Sequence, residues 1–179
     1  MSVLADRLLA VHDALDRADI PHAFGGAIAL AYCTHEPRGT RDIDVNVFVG
    51  TDDADRVLDS LPRGASVERR DRTAARREGQ VRIMWDDTPL DVFFDTDEFH
   101  KEAARTVVDV PFEKAMIPVL GCQALIVFKA MFGRSRDWAD IEEILDARMS
   151  TGTGALAALV RIMGESAPAV VRLAGLLSR

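Results

Sequence analysis

Two aspartates separated by one residue, Asp42 and Asp44, are the side chains of this sequence best suited to chemistry. Asp42, Asp44, Asn46 and Phe48 alternate with Ile and Val through residues 42–49, a pattern that predicts a strand with one largely polar face. Side chains two apart on a strand point to the same side, so both carboxylates meet on one face. Carboxylates that close repel each other unless a cation lies between them. Such oxygen ligands suit Mg²⁺ or Mn²⁺, which also binds triphosphate oxygens.

A third carboxylate, Asp91, lies between apolar residues in a second predicted strand, residues 90–94. If the two strands are neighbours, Asp91 joins Asp42 and Asp44. Three convergent carboxylates are what two-metal nucleotidyl transfer uses. The alternative is a solvated strand face on which Asp91 is an ordinary hairpin residue, and the aspartate pair alone does not exclude it.

Two glycines and one lysine are further candidates for binding phosphate. Gly25 and Gly26 lie between a short predicted strand and a predicted helix, where backbone N–H groups can approach a phosphate. A simple tight turn is the alternative. Lys129 interrupts the apolar predicted helix of residues 123–132, so its cation must either extend to solvent or meet an anion.

Two aspartates follow on the next predicted helix, residues 137–148. Asp137 lies in its first turn, where it either caps the helix or enters the site. Asp140 is better explained as a cap or an ion pair.

The elements that must position these residues form an α+β fold. We predict a small mixed β-sheet with flanking helices as a core in residues 1–112, followed by a helical subdomain in residues 113–179. Apolar periodicity and turn residues predict the remaining elements: helices at 3–18, 27–33, 52–61 and 97–104, and strands at 22–24, 81–85 and 107–112.

An arginine-rich segment, residues 63–82, carries seven arginines and three acidic residues and has no clear periodicity. The whole chain has a net charge of −7, which argues against a general nucleic-acid coat protein. The segment is therefore either a solvated surface or a local contact for an RNA backbone. The candidate RNA contacts are Arg69, Arg70, Arg72, Arg76 and Arg77.

Composition and length indicate a folded protein. The chain has 179 residues, of which 48% are hydrophobic, and this excludes intrinsic disorder. Its two cysteines are too few for a disulfide framework. The charged N-terminus is unlike a signal peptide, and the most apolar stretch is too interrupted to span a membrane. We therefore expect a soluble cytoplasmic protein with no membrane partner.

The order and spacing of two blocks resemble a known signature. Residues 24–30 read Phe-Gly-Gly-Ala-Ile-Ala-Leu, and residues 37–45 read Pro-Arg-Gly-Thr-Arg-Asp-Ile-Asp-Val. They resemble the polymerase-beta-like nucleotidyltransferases, and more narrowly the AbiEii-type toxins, which include the MenT toxins of toxin–antitoxin systems. The looser resemblance extends through Asp91 to about Leu145.

This resemblance implies an enzyme that transfers a nucleoside monophosphate from an NTP to RNA, at the tRNA 3′ end, and so inhibits growth. It implies Asp42, Asp44 and Asp91 as ligands of Mg²⁺ or Mn²⁺. It also implies triphosphate contact for Lys129 and catalysis by an aspartate that follows the lysine, for which Asp137 is the candidate. A cognate antitoxin is the implied protein partner.

Thr40 and Arg41 complete the predicted nucleotide site. In MenT toxins a hydroxyl residue at the place of Thr40 is phosphorylated by the antitoxin. A phosphate there would add about two negative charges beside the metal carboxylates and compete for the metal. The alternative is a turn hydroxyl that bonds its own backbone.

Two other functions stay open from the sequence. The acceptor is an antibiotic, such as an aminoglycoside or lincosamide, or the protein is a catalytically silent module that binds nucleotide or a partner. A site for a cationic drug should be acidic, whereas the arginines favour RNA. Three carboxylates with a lysine argue against a silent module.

Overall fold

Six strands form one mixed β-sheet in a computed structural model that describes residues 2–178. The strands are β1 (His22–Phe24), β2 (Ile43–Gly50), β3 (Gln80–Trp85), β4 (Thr88–Asp95), β5 (Val108–Phe112) and β6 (Ala115–Val119). Their order across the sheet is β3-β4-β2-β1-β6-β5. β2 is parallel to β4 and β1 to β6, and the other neighbouring pairs are antiparallel. The mixed sheet confirms the predicted fold class.

Helices flank the sheet and form the C-terminal part of the chain. They are α1 (Val3–Arg17), α2 (Gly26–Thr34), α3 (Ala54–Ser60), α4 (Arg69–Glu78), α5 (Glu98–Ala104), α6 (Cys122–Phe132), α7 (Ser135–Asp146), α8 (Thr153–Met163) and α9 (Pro168–Leu177). α6 contacts α2, α7, α8 and α9 and so connects the sheet region to the end of the chain. No helix within the described part of the chain is long and apolar enough to cross a membrane.

Helix α4 is an element that the sequence pattern did not predict. Its one buried residue is Ala75, so the arginine-rich segment has no apolar stripe from which a helical period can be recognised. Capping defines its ends instead. Asp71 accepts a hydrogen bond from the backbone N–H of Glu68 at 2.7 Å, and Gly79 ends the helix in the left-handed region at φ 67°.

Strand β6 is the second unpredicted element. It begins after Phe112, pairs with β5, and meets β1 where Phe24 faces Val119. Its alternating buried residues, Ile117 and Val119, continue directly into the apolar helix α6, and this continuity hides the strand in the sequence. The division of the chain after residue 112 stays a prediction. Strand β6 lies beyond that residue but still belongs to the sheet.

A disulfide joins Cys33, near the end of α2, to Cys122, the first residue of α6. The cysteines are 89 residues apart, and the expectation of no disulfide is wrong for this pair. Spacing cannot reveal such a pair, because the contact depends on how α2 and α6 pack. The bond links α2, the helix that begins at Gly26, to α6, the helix that carries Lys129.

Reduction of this disulfide lowers thermal stability. Cross-linking across so long a loop restricts the unfolded chain and is worth about 3–4 kcal/mol, or roughly 6–16 °C in Tm for a domain of this size. The measurement is Tm with and without reductant. The variant Cys33→Ser serves as the control, because its Tm should be low and independent of reductant. Equal Tm values for oxidised wild type and variant would contradict the prediction.

Candidate active site

The predicted carboxylates lie on two neighbouring parallel strands. In the register of β2 and β4, Asp44 is the partner of Asp91, and Asp42 immediately precedes β2. Paired residues on adjacent strands project to the same face, with backbones about 4.8 Å apart. Their neighbours Ile43 and Leu90 are buried on the opposite face. The condition set by the sequence, that the two strands be neighbours, is met.

A cleft of about 1290 Å³ opens over this face of the sheet. Every catalytic and nucleotide-binding residue predicted from the sequence lines it: Gly25, Gly26, Thr40, Arg41, Asp42, Asp44, Asp91, Lys129 and Asp137. Residues from β2, β4, α2, α6 and α7 therefore converge on one space large enough for a nucleotide.

Asp44 is the carboxylate most affected by this environment. Burial, followed by repulsion from Asp91 and Asp42, raises the pKa of Asp44 from 3.8 to about 6. Lys129 and Arg82 offset only part of this effect. A divalent cation would supply the missing positive charge, and carboxylate oxygens are its preferred ligands. The residues thus fit such an ion.

Arg82 forms a two-point ion pair with the carboxylate of Asp91. Its Nε and Nη2 atoms donate to the two Asp91 oxygens at 2.7 and 2.6 Å. The pair raises the pKa of the Arg82 guanidinium above its ordinary value. Among residues 2–178, no three His, Cys, Asp or Glu side chains are arranged as metal ligands. Arg82 therefore competes with a metal for the carboxylate of Asp91.

Gly25 and Gly26 lie directly against Asp44. Gly25 donates its backbone N–H to the carbonyl oxygen of Asp44 at 2.9 Å, so this N–H belongs to the sheet. Gly26 has a φ of 50°, and a Cβ atom there would overlap the Asp44 carboxylate. The N–H groups of the first turn of α2 then offer phosphate donors.

Lys129 is buried and meets an anion. Only 7% of the residue is exposed, and its Nζ lies 2.5 Å from Asp140 Oδ2 and 3.8 Å from Asp137 Oδ1. Extension into solvent is therefore excluded as the explanation for this lysine. Its charge is held at the wall of the cleft that contains the carboxylates.

Asp140 joins Lys129 to a second cation. Arg38 binds both of its carboxylate oxygens, at 2.5 and 2.9 Å, and Asp140 is 1% exposed. Burial alone would raise the pKa of Asp140, but hydrogen bonds from Arg38 and Lys129 outweigh it and hold that pKa below its ordinary value. Asp140 therefore forms an ion pair, which is one of the two roles that the sequence suggested for it. Arg38 lines the cleft as well.

Asp137 serves as the cap of α7. It accepts hydrogen bonds from the backbone N–H of Arg134 at 3.1 Å and from the Arg134 Nε at 2.7 Å. It is 3% exposed and also lines the cleft. Asp137 therefore caps the helix and also forms ion pairs with Arg134 and Lys129, and its catalytic role stays a prediction.

The model of a protein family described as "Nucleotidyl transferase AbiEii toxin, Type IV TA system" matches residues 7–177. The chain belongs to the AbiEii family. The resemblance noted in the two glycine and aspartate blocks is confirmed, and the protein is a nucleotidyltransferase.

Solved structures share the fold of this AbiEii-family protein. The antibiotic-resistance factor ANT(2″)-Ia is 14% identical over 97% of this chain and 94% of that chain, with a TM-score of 0.62. The lincosamide antibiotic adenylyltransferase LnuA is 12% identical over 79% and 96%, with a TM-score of 0.55. An antigenic nucleotidyltransferase-like protein from Paracoccidioides brasiliensis is 18% identical over 97% and 93%, with a TM-score of 0.50. No curated protein is a significant sequence match. At these identities the likeness establishes the fold alone.

Thr40 of this AbiEii-family protein forms a local turn. Its Oγ1 lies 3.3 Å from both the backbone N and the backbone O of Asp42. The turn interpretation therefore describes its contacts, and phosphorylation stays a prediction. Arg41 is exposed at the mouth of the cleft.

The arginines proposed to contact RNA differ in their contacts and their exposure. Arg72 pairs with Asp55 and Asp59 at 3.2 and 2.6 Å, Arg76 also pairs with Asp55, and Arg70 pairs with Glu68 at 3.1 Å. Arg72 is half-buried, whereas Arg69, Arg70, Arg76 and Arg77 are exposed. The RNA contact stays a prediction.

Two cations of the cleft, Arg38 and Arg82, were not identified from the sequence. A signal existed for Arg82. The turn at Asp86 and Asp87 sets the hairpin register and places Arg82 opposite Asp91. No comparable local signal relates Arg38 to Asp140, since they are 102 residues apart.

Neutralising Asp140 destabilises the protein. In Asp140→Asn, Lys129 and Arg38 lose the buried charge that both bind, a change that costs about 3 kcal/mol, or roughly 6–12 °C in Tm. Denaturant unfolding gives the free energy. Asp146→Asn, an exposed site on α7, is the control and should change stability by less than about 0.5 kcal/mol. Equal effects of both variants would contradict the role of Asp140.

Proposed function

We propose that this protein transfers a nucleoside monophosphate from an NTP to RNA, at the tRNA 3′ end, in a metal-dependent reaction that inhibits growth. The observation that carries the proposal is the side-by-side register of Asp44 and Asp91, with Asp42 and Lys129 in the same cleft. Membership of the AbiEii toxin family supports the reaction class and the role as a toxin.

The carboxylates supply the sites for divalent cations. Asp42 and Asp44 would hold Mg²⁺ or Mn²⁺, and Asp91 either joins them or accepts the proton of the acceptor hydroxyl. When bound, the cations would stabilise the charge that develops at phosphorus and on the leaving group. Arg82 competes with either role of Asp91, because both Asp91 oxygens are bound to Arg82.

The transfer is a single displacement at phosphorus. The oxygen of the acceptor hydroxyl bonds to the α-phosphorus as the bond between that phosphorus and the α,β-bridging oxygen breaks. The electron pair leaves with pyrophosphate, and the hydroxyl proton passes to a base. Lys129 and the first-turn N–H groups of α2 hold the triphosphate through charge and hydrogen bonds.

The charge around the cleft favours an anionic acceptor. Four exposed arginines line it, namely Arg41, Arg82, Arg134 and Arg136. A polyanionic RNA is attracted by such a rim. The exposed arginines of α4, a helix whose Ala74 and Glu78 also line the cleft, extend the basic surface outward.

A cognate antitoxin is the proposed protein partner. Phosphorylation of Thr40 by that partner would place about two negative charges beside Asp42 and compete with it for metal. The position of Thr40 in the same cleft as Asp42 supports this regulation.

One assay separates the proposed function from its alternatives. The purified protein is incubated with Mg²⁺, each labelled NTP in turn, and either total tRNA or a panel of aminoglycosides and lincosamides. We expect label on tRNA at the 3′ end and none on the drugs. In Asp42→Ala and Lys129→Ala, transfer should fall by about 100-fold or more, the scale found when an electrostatic contact to the transition state is removed. Asp52→Ala, an exposed carboxylate outside the cleft, is the control.

Two results contradict the proposal in different ways. Label on a drug with none on tRNA identifies an antibiotic-modifying enzyme. Nucleotide binding without transfer to either acceptor identifies a silent binding module.

A further inference from the structure

An exposed aromatic ring lies at the wall of the cleft. Phe132, the last residue of α6, is 49% exposed. Among the large hydrophobic residues exposed in the described part of the chain, it is the one aromatic side chain. Its neighbour Met131 is 38% exposed, and both residues line the cleft. An exposed phenylalanine in a cleft wall gives a ligand an apolar surface that it can cover.

Phe132 is next to the groups assigned to the triphosphate and metal. It lies three residues after Lys129 on α6, so the two side chains are on the same side of the helix. The helix thus carries a phosphate-binding cation and an exposed ring about one turn apart.

The sheet supports the ring from the other side. Phe93 lies two residues after Asp91 on β4 and therefore shares its face of the sheet. The Phe93 and Phe132 rings meet edge to face, with centroids 5.9 Å apart and planes inclined at 63°. Phe93 is also a residue of the cleft wall. This contact fixes the position of the Phe132 ring relative to the carboxylates.

A cation lies against the same ring. The Arg134 guanidinium is 5.3 Å from the centre of the Phe132 ring, and Arg134 is held by Asp137 at 2.7 Å. The surface is therefore an aromatic ring with a guanidinium over one of its faces. Such surfaces suit a flat ligand that has an apolar face and a polar edge.

We propose that Phe132, supported by Phe93, is the surface on which a nucleobase stacks in this cleft. The inference rests on the proposed function, since it names the part of the nucleotide that binds beside Lys129. A base attached to a phosphate at Lys129 lies within one nucleotide of Phe132, and stacking on an aromatic ring is favourable for every base. The base belongs either to the incoming NTP or to the 3′-terminal nucleotide of the acceptor RNA.

The experiment compares binding of NTP with binding of inorganic tripolyphosphate, both with Mg²⁺, by titration calorimetry. We expect Phe132→Ala to weaken NTP binding by about tenfold and to leave tripolyphosphate binding within about twofold, since stacking of one base is worth roughly 1–3 kcal/mol. Phe132→Tyr should retain the affinity, and Phe132→Leu should lose it because leucine is apolar but not aromatic. Met116→Ala, at a residue that is 54% exposed on β6, is the matched control.

A second arm distinguishes the two sources of the base. If the acceptor supplies it, NTP affinity is unchanged in Phe132→Ala, whereas KM for tRNA rises about tenfold. RNA that lacks its 3′-terminal nucleotide should then bind wild type and variant equally. Either pattern supports the proposal.

Three results overturn it. They are unchanged NTP affinity together with unchanged KM, equal weakening of NTP and tripolyphosphate, and full retention by Phe132→Leu. Failure of the proposed function is recognised separately, in the wild-type protein. If wild type binds NTP but transfers no label to RNA, the proposed function is wrong. The comparison of NTP with tripolyphosphate still tests stacking on Phe132 in that case.

Discussion

Gly26→Ala is expected to lower kcat/KM for nucleotide transfer by about 100-fold or more, the loss associated with displacing a reacting group by about 1 Å. Two independent effects act at this position. The backbone of Gly26 has a φ of 50°, which an alanine adopts with strain. The added Cβ would also overlap the carboxylate oxygen of Asp44 and displace it. Because that carboxylate belongs to the proposed metal site, the damage falls on catalysis.

The matched control for this variant is Gly39→Ala. Gly39 also lines the cleft, but a Cβ atom there has no heavy atom within 4 Å, and its φ lies outside the left-handed region. We expect its kcat/KM to stay within about threefold of wild type, as for surface substitutions in general. If Gly26→Ala kept wild-type activity, the close approach of Gly26 to Asp44 would have no catalytic role. Equal losses in both variants would instead point to loop flexibility.

Asp44→Asn is expected to abolish transfer and, in the absence of metal, to stabilise the protein. Burial and repulsion from Asp91 and Asp42 raise the pKa of Asp44 from 3.8 to about 6, so the folded protein holds this proton more tightly than the unfolded chain does. Stability is therefore lost as pH rises from about 3.8 to about 6, and the cost persists at higher pH. The difference corresponds to about 3 kcal/mol at most.

The asparagine variant has no charge to bury and avoids this cost. In metal-free buffer its Tm should equal that of wild type near pH 4 and exceed it by several degrees at pH 7.5. Added Mg²⁺ should raise the wild-type Tm, increasingly so as pH passes about 6, and leave the variant unchanged. The measurement is Tm against pH from 4 to 8, with and without Mg²⁺.

Asp52→Asn, an exposed carboxylate outside the cleft, is the control and should follow wild type at every pH. A metal-free Asp44→Asn protein that is less stable than wild type at pH 7.5 would contradict the electrostatic account of Asp44. Transfer activity is measured on the same samples, so that higher stability with lost activity is read from one preparation.

The carboxylates Asp42 and Asp44 were identifiable as candidates from the sequence because their signal is local. The alternation around Asp42 and Asp44 gives the strand and its polar face from neighbouring residues alone. Gly25 and Gly26 mark the strand-to-helix turn in the same way. The apolar setting of Lys129 showed that its charge needed an explanation, although it did not identify the anion.

Other features depend on contacts between residues far apart in the chain, and only the tertiary structure decided them. Asp140 reaches Arg38 across 102 residues, and Cys33 reaches Cys122 across 89. Periodicity reports which face of an element is buried, but it does not report which element covers that face. For the same reason α4, with one buried residue, was not recognised.

Some features of the site around Asp42 and Asp44 therefore follow from the local sequence, and others follow from tertiary packing. Residue type and spacing determined the fold class, the carboxylates, the glycine turn and the family. The packing of α6 and α7 brings Asp140 into an ion pair with Lys129, and the pairing of β3 with β4 brings Arg82 into an ion pair with Asp91. The physical reason is range: backbone geometry relates residues within a few positions, whereas ion pairs and ring contacts depend on where whole elements pack.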